Sequence, residues 1–414
     1  MDQAFFVHNR QHLLERIEDA EAILVLFSGI PRRRTADEDY PFYASRSFVY
    51  LTGLEKENLV YLAWRQGRQW QETLFLPPTD PIRERWMGRM LHPDQAECRS
   101  GIAENHSREE FDEVFRHLVG GMTCPTVWLD FDPPAENQPP EVAQVFADSI
   151  RRNYPWCRIA NCHPTLRRMR SIKQPQELED LRHSIDITGK GIHAMLRACR
   201  PGLYEYHLRA VFEKTLADEG VRESAFETIV GAGKNSLVMH YPEQDTVLTD
   251  GDLVLIDLGA QYGYCGADIS RVFPVSGHFS PRQKLLHEAS LSTIDYLLER
   301  IKPGMPMSEI DHIGDENLRE KLTAIGLLSQ NQAVTDYRWH TISHHLGFDI
   351  HDDNDYTMPL TSGMVITMEV GVYVPQWGVG VRIEDDILIT SEGCQNLSCQ
   401  IPCTISEIES IMTE

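Results

Sequence analysis

The chain is 414 residues long, 42% hydrophobic and 24% charged, with a formal net charge of −23. That length suffices for two domains with separate cores, and the acidity excludes nucleic acid and anionic membranes as partners, because both repel such a surface. No run approaches the ~20 apolar residues of a membrane span, the first residues do not form a signal peptide, and nine scattered cysteines make no disulfide framework; a reduced, cytoplasmic protein is expected.

In chain order, apolar runs at 22–27, 48–51, 59–64 and 126–131 read as strands. The amphipathic stretch 141–152 reads as a helix, entered through a loop marked by Pro133, Pro139 and Pro140. A basic segment, Leu166-Arg-Arg-Met-Arg-Ser171, reads as irregular and precedes a long helical pattern in which Leu178, Leu181, Ile185, Ile192 and Met195 share one face. The domain boundary is placed near residue 170, giving an N-terminal α/β domain over 1–170 and a C-terminal domain over 171–414.

The C-terminal part reads as duplicated. One helix ends in Arg200-Pro-Gly202 and another, from 281 to 301, ends in Lys302-Pro-Gly304; each is followed by a helix that closes at a glycine, Gly220 or Gly326. The next strands align without a gap, with Gly251, Asp257 and Gly259 over Gly363, Glu369 and Gly371, and a histidine precedes each block, His240 and His351. A two-unit repeat with pseudo-twofold symmetry follows, and such symmetry can gather equivalent carboxylates around one site.

Those carboxylates sit where lone charges are costly to bury. Asp257 and Asp268 frame a segment that reads as a hairpin turning at Tyr262-Gly263, which would set the two acids face to face. Glu369 and Glu384 are symmetric about Gln376-Trp377, beside Pro375 and Gly378. Opposed like charges ~5 Å apart cost about 3 kcal/mol per pair at an effective dielectric of ~20. Cations are the simplest compensation. Between the pairs, four histidines fall within twelve residues: His340, His344, His345 and His351. His344 is the predicted ligand, and in an extended segment His345 points the other way. Mainly oxygen donors with one imidazole suit Mn²⁺, and Co²⁺, Fe²⁺ or Zn²⁺ also fit. Two ions ~3.5–4 Å apart can hold a hydroxide and polarise a carbonyl, which is hydrolytic chemistry. A proton-sharing aspartic dyad would use only two acids and leave the others unexplained. Arg382 shares a strand face with Glu384, either orienting that carboxylate, binding a substrate group or forming a structural ion pair; alternation does not choose between Glu384 and Asp386 as ligand. The glycine-rich stretch at 231–236 completes neither a phosphate loop nor a dinucleotide fingerprint, because Thr228, Asn235 and Ser236 occupy the required positions.

The order Asp257, Asp268, His344, Glu369, Glu384, with Leu255-Ile-Asp257 and Arg382-Ile-Glu-Asp-Asp386, resembles the pita-bread metallopeptidases, among them methionine aminopeptidase, prolidase and aminopeptidase P. In the first domain, 36–42, 48–53 and 85–89 (Arg85-Trp-Met-Gly-Arg89) resemble bacterial aminopeptidase P, also called Xaa-Pro aminopeptidase. The resemblance implies an α/β (α+β) chain: a pita-bread catalytic domain after a smaller creatinase-like domain that serves substrate access and oligomerisation. It implies two divalent ions, with Asp257 on one, His344 and Glu369 on the other, and Asp268 and Glu384 bridging, which selects Glu384 over Asp386. The implied reaction removes the first residue from peptides whose second residue is proline. A bridging hydroxide attacks the carbonyl, Glu369 shuttles the proton, His240 and His351 hold the substrate and its developing oxyanion, and His340 and Arg382 line the proline pocket. Relatives associate as dimers or tetramers, and Trp86 would reach a neighbouring subunit's cleft.

Two positions depart from the family pattern: Val370 replaces a proline, and His345 replaces an aromatic residue and adds a titratable group near the site. Prolidase activity, confined to Xaa-Pro dipeptides, is the near alternative. A peptide-binding relative that lost its chemistry, or a metal-free hydrolase of the creatine type, conflicts with the complete ligand set.

Overall fold

A computed structural model describes residues 1–132 and 139–413, so Pro133 lies outside the described residues. The chain divides into two compact units, Met1–Met169 and Arg170–Glu414.

The first unit contains α1 (Gln3–Leu14), β1 (Glu21–Phe27), α2 (Arg46–Thr52), β2 (Val60–Gln66), β3 (Trp70–Leu76), α3 (Pro81–Met87), α4 (Pro93–Ser100), β4 (Asn105–Ser107), α5 (Phe111–Gly120), β5 (Thr126–Leu129), α6 (Val142–Asn153), β6 (Arg158–Asn161) and most of α7 (His163–Ser171). Its sheet has the order β4-β3-β2-β1-β5-β6, with β1 antiparallel to β2 and parallel to β5. Ile23 and Val25 of β1 pack with Leu62, Phe75, Phe111, Phe115 and Ile150 in the core. Two expectations are corrected. The run 48–51 lies inside α2, not in a strand: all four residues are buried, so no periodicity separates the two conformations, and the helix stops at Gly53. Segment 166–171 is helical, its arginines interrupting a pattern in which Leu166 and Met169 stay buried.

The second unit contains α8 (Pro175–Ala198), α9 (Glu205–Asp218), β7 (Ile229–Ala232), β8 (Leu253–Leu258), β9 (Gln261–Tyr262), β10 (Cys265–Gly266), β11 (Ile269–Pro274), α10 (Pro281–Leu298), α11 (Met307–Ala324), β12 (Val365–Val374), β13 (Val379–Ile389), β14 (Cys394–Asn396) and α12 (Ile405–Thr413). Two antiparallel three-stranded sheets, β11-β8-β7 and β12-β13-β14, meet where β11 packs against β13. The repeat is present in the backbone. Gly202 N–H donates to Leu248 O at 2.9 Å and Leu248 N–H to Leu203 O at 2.7 Å; in the second half Gly304 N–H donates to Leu360 O and Leu360 N–H to Met305 O, both at 2.8 Å. Gly251 and Gly363, equivalent in the alignment, have φ of +90° and +95°.

The first hairpin differs from expectation by one turn position. Tyr262 pairs with Cys265, so the turn falls on Gly263-Tyr264, and Asp257 lies opposite Ser270 instead of Asp268. Gly263 has φ +59°, the conformation that the first position of a tight II′-like hairpin turn requires. The glycine fixes the register, and Asp268 sits diagonally from Asp257 on the same side. The second hairpin has the expected register, Glu369 directly opposite Glu384.

Candidate metal centre

β8 carries Asp257, buried, next to its C-terminal end, and β12 and β13 carry Glu369 and Glu384 as a cross-strand pair. The histidines arrive on an irregular segment laid along the free edge of β12. Three β12 amides donate to it: Tyr373 to Tyr337 O (2.8 Å), Glu369 to Ile342 O (2.7 Å) and Thr367 to His344 O (2.8 Å). Every second residue of β12 thereby faces the segment, and His340 and His344 are carried to the carboxylates. One ligand atom each from Asp257, Asp268 and Glu384 lie within 4.8 Å of one another, and the same holds for His344, Glu369 and Glu384. Glu384 belongs to both triads. Asp268 and His344 also form such a group with His351.

Burial and mutual repulsion raise two of these carboxyls. Burial raises the Asp268 carboxyl to about 7, with the Asp257 charge adding to the rise and His344 opposing it. Burial and the charge of Asp268 raise Glu384 well above the ordinary carboxylate range. His344 moves the other way from what its burial favours, because Asp268 and Glu384 hold its proton. Glu369 differs: burial raises it, but His340 and Arg382 overcome that and bring it down to about 2.

The residues fit a pair of divalent ions. Asp257 Oδ2 accepts from Arg382 Nη2 at 2.6 Å and Glu384 Oε2 accepts from Ser270 Oγ at 2.9 Å. Their second oxygens, Asp257 Oδ1 and Glu384 Oε1, are buried without a hydrogen-bond partner among the described residues, which is costly unless a cation completes them. His344 Nδ1–H donates to the His345 carbonyl at 3.1 Å, leaving Nε2 directed at Asp268 Oδ2, 3.4 Å away. A ring nitrogen held in this way is how a protein fixes the tautomer of a metal-binding imidazole.

Around the triads lies a network of which the sequence revealed only Arg382 and His340. Arg382, only 2% exposed, donates to Ser270 Oγ (3.0 Å), Tyr373 Oη (3.1 Å) and Asp257 Oδ2. Tyr373 Oη also meets His340 Nε2 at 3.0 Å, and His340 Nδ1 lies 3.3 Å from Glu369 Oε2. Tyr373 follows Glu369 by four residues and Ser270 follows Asp268 by two, so strand alternation was the available signal. Asp386 belongs to neither triad and accepts from the Asp268 backbone N–H at 3.3 Å. Burial, with Lys173 nearby, lowers the His345 ring to about 4, and it packs on Tyr356 at 5.2 Å. The ring is therefore neutral near pH 7 and takes its charge only in acid. Val370 is fully buried on β12 opposite Ile383 and keeps a strand N–H that proline lacks.

A cavity of about 950 Å³ opens over the carboxylates, its wall including His240, His351, Tyr241, Met239, Ile229 and Trp339. Trp86, on α3 of the first unit, is 84% exposed. No helix among the described residues is long and apolar enough to cross a membrane, and all nine cysteines are free thiols.

The sequence profile of metallopeptidase family M24 matches residues 179–391, and that of the aminopeptidase P N-terminal domain matches residues 6–128. The chain belongs to metallopeptidase family M24, and its second unit is the pita-bread catalytic fold. It is 32% identical to an Xaa-Pro aminopeptidase of Haemophilus influenzae, across 98% of this chain and 96% of that protein. It is 31% identical to the Xaa-Pro aminopeptidase of Escherichia coli, across 98% and 97%. The structure of E. coli aminopeptidase P with the inhibitor Pro-Leu superimposes with a TM-score of 0.91 at 29% identity, covering 100% of this chain and 98% of that one.

Proposed function

We propose that this chain is an Xaa-Pro aminopeptidase, a two-metal hydrolase that removes the first residue of a peptide whose second residue is proline. The observation that carries the reading is the pair of acid-rich triads sharing Glu384 at the floor of a cavity large enough for a peptide. Support comes from relatives of matching length that bear this activity in their names.

Asp257 would hold one ion, His344 and Glu369 the other, and Asp268 and Glu384 both. Mn²⁺ suits these donors best, with Co²⁺, Fe²⁺ or Zn²⁺ also compatible. When bound, such a pair supplies a water acidic enough to attack at neutral pH and an electrophile for the carbonyl oxygen. Glu369 is ionised at neutral pH and accepts the proton of the attacking water. It then passes that proton to the departing prolyl nitrogen, which as a tertiary amide nitrogen carries none of its own. His240 and His351 on the cavity wall hold the carbonyl and the charge developing on its oxygen. Arg382 and His340, expected to line the proline pocket, lie on the cavity wall, and Arg382 would orient Tyr373 and Asp257, to which it donates. The first unit, with exposed Trp86, would govern access and assembly into a dimer or tetramer in the cytoplasm.

The test is hydrolysis of Arg-Pro-Pro and of Ala-Pro by chelated protein before and after adding Mn²⁺. Metal-dependent release of arginine from the tripeptide is expected. Cleavage of the dipeptide alone would replace this reading with prolidase, and no turnover of either peptide with two ions bound would end it.

A further inference from the structure

His351 reaches the cavity on a segment with no helix or strand of its own, from 346 to 354. Its placement needs a cause, and beneath it lies a buried cluster of charges. Asp352, next to His351, is 1% exposed. One carboxylate oxygen accepts from Arg170 Nη2 at 2.5 Å, and the other accepts from Lys173 Nζ at 2.8 Å. Asp352 also binds its own loop at two points: its N–H donates to His345 O at 2.9 Å, and its Oδ1 accepts from Asp349 N–H at 3.3 Å. Arg170 bonds Asp349 Oδ2 as well at 2.6 Å, and Ser171 Oγ bonds Asn354 Oδ1 at 2.6 Å. Thus 170–173, the stretch leading into α8, grips the loop at 349, 352 and 354. The fit is tight. A Cβ on Gly347 would lie 2.4 Å from both Asp352 Oδ2 and Lys173 Nζ.

We propose that Asp352, anchored by Arg170 and Lys173, is a positioning residue for His351, fixing the loop so that this ring stands over the cavity, 4.1 Å from the His344 ring. The inference rests on the substrate-holding role given to His351 above. Asp352 touches neither substrate nor reacting atoms; it acts by holding the adjacent residue where the developing oxyanion is met. A buried, doubly paired carboxylate suits this task, because each of its oxygens is held by a different cation.

The experiment compares Asp352→Asn, His351→Ala and the double variant on Arg-Pro-Pro, with Mn²⁺ content measured for each. Asp352→Asn is expected to lower kcat by about 10–100-fold with metal content unchanged, the scale on which supporting partners act. The double variant should be no slower than His351→Ala, because a residue acting only through another adds nothing once the other is gone. Multiplying losses, or a fully active His351→Ala, would overturn the proposal. Lys173→Met keeps the Arg170 pair and serves if Asp352→Asn does not fold; it should show the same non-additivity with His351→Ala. Amide exchange of the metal-free variants needs no turnover and separates this inference from the assigned activity. The Gly347 and Asp352 amides should exchange faster in the variant while β12 amides do not; unchanged loop protection would refute the positioning role even in an enzyme that cleaves Xaa-Pro bonds.

Discussion

Glu177→Gln should stabilise the protein by an amount that depends on pH. Glu177 stands in the first turn of α8 and is 1% exposed. Its Oε2 accepts from the Gln174 backbone N–H at 2.9 Å, while its Oε1 has no hydrogen-bond partner among the described residues. Burial raises the carboxyl from its ordinary 4.5 to about 7, against the opposing pull of Lys173 and of that backbone N–H. The sign follows from proton binding. Between 4.5 and 7 the native protein retains a proton that the unfolded chain has released, so the unfolded state gains on the native one as pH rises. Stability falls by about 1.36 kcal/mol per pH unit across that window, about 3 kcal/mol in all, and is level above it. Glutamine has the shape of the protonated acid, and its carbonyl oxygen can accept from Gln174. The variant should therefore nearly match the wild type at the acid end of the window and exceed it by about 3 kcal/mol at pH 8, worth about 6–12 °C in melting temperature for a unit of this size. Urea denaturation of metal-free protein at several pH values measures this, metal being removed because it stabilises the native state by binding. An offset that does not vary with pH, or a variant less stable than wild type at pH 8, would refute the reasoning.

Other outcomes follow from the site. Glu384→Ala removes the donor common to both triads, so bound metal should fall well below two ions per chain by elemental analysis, and activity should vanish; two ions retained would exclude Glu384 as the shared ligand. Tyr373→Phe leaves a buried Arg382 donor and the His340 ring without their common partner, at a cost of about 1–3 kcal/mol. It should lower kcat by roughly tenfold to a hundredfold with metal content intact, and an unchanged kcat would show that the network does not reach the reaction. Gly371→Ala would place a Cβ 2.3 Å from His340 Nε2. It should displace that ring and reduce kcat/KM far more than melting temperature, and a variant with normal kinetics would count against a role for His340.

How much of this was legible in the sequence depends on what each residue answers to. Asp257, Asp268, His344, Glu369 and Glu384 stood out because charge inside apolar strands violates burial, and the structure does gather them. The register of the second hairpin was readable because Pro375 and Gly378 bracket its turn. In the first hairpin the acids suggested the wrong centre: Gly263 and not carboxylate symmetry sets the turn, so Asp257 faces Ser270. The run 48–51 misled because total burial removes periodicity, leaving only its length and Gly53 to distinguish helix from strand. The roles of Tyr373, Ser270 and Asp352 could not be read from the chain for a different reason. Each matters through partners more than eight residues away in the chain: Arg382, Glu384, Arg170 and Lys173. Periodicity reports which face a side chain occupies, but not what another element brings to that face. Residues that supply the reaction's charge can therefore be found one at a time from the chain, whereas residues that hold them in place emerge only once the elements are packed. Asp352 illustrates the distinction. In the sequence it is one more acid in Asp352-Asp-Asn-Asp355; in the fold it is the anchor of the loop that carries His351.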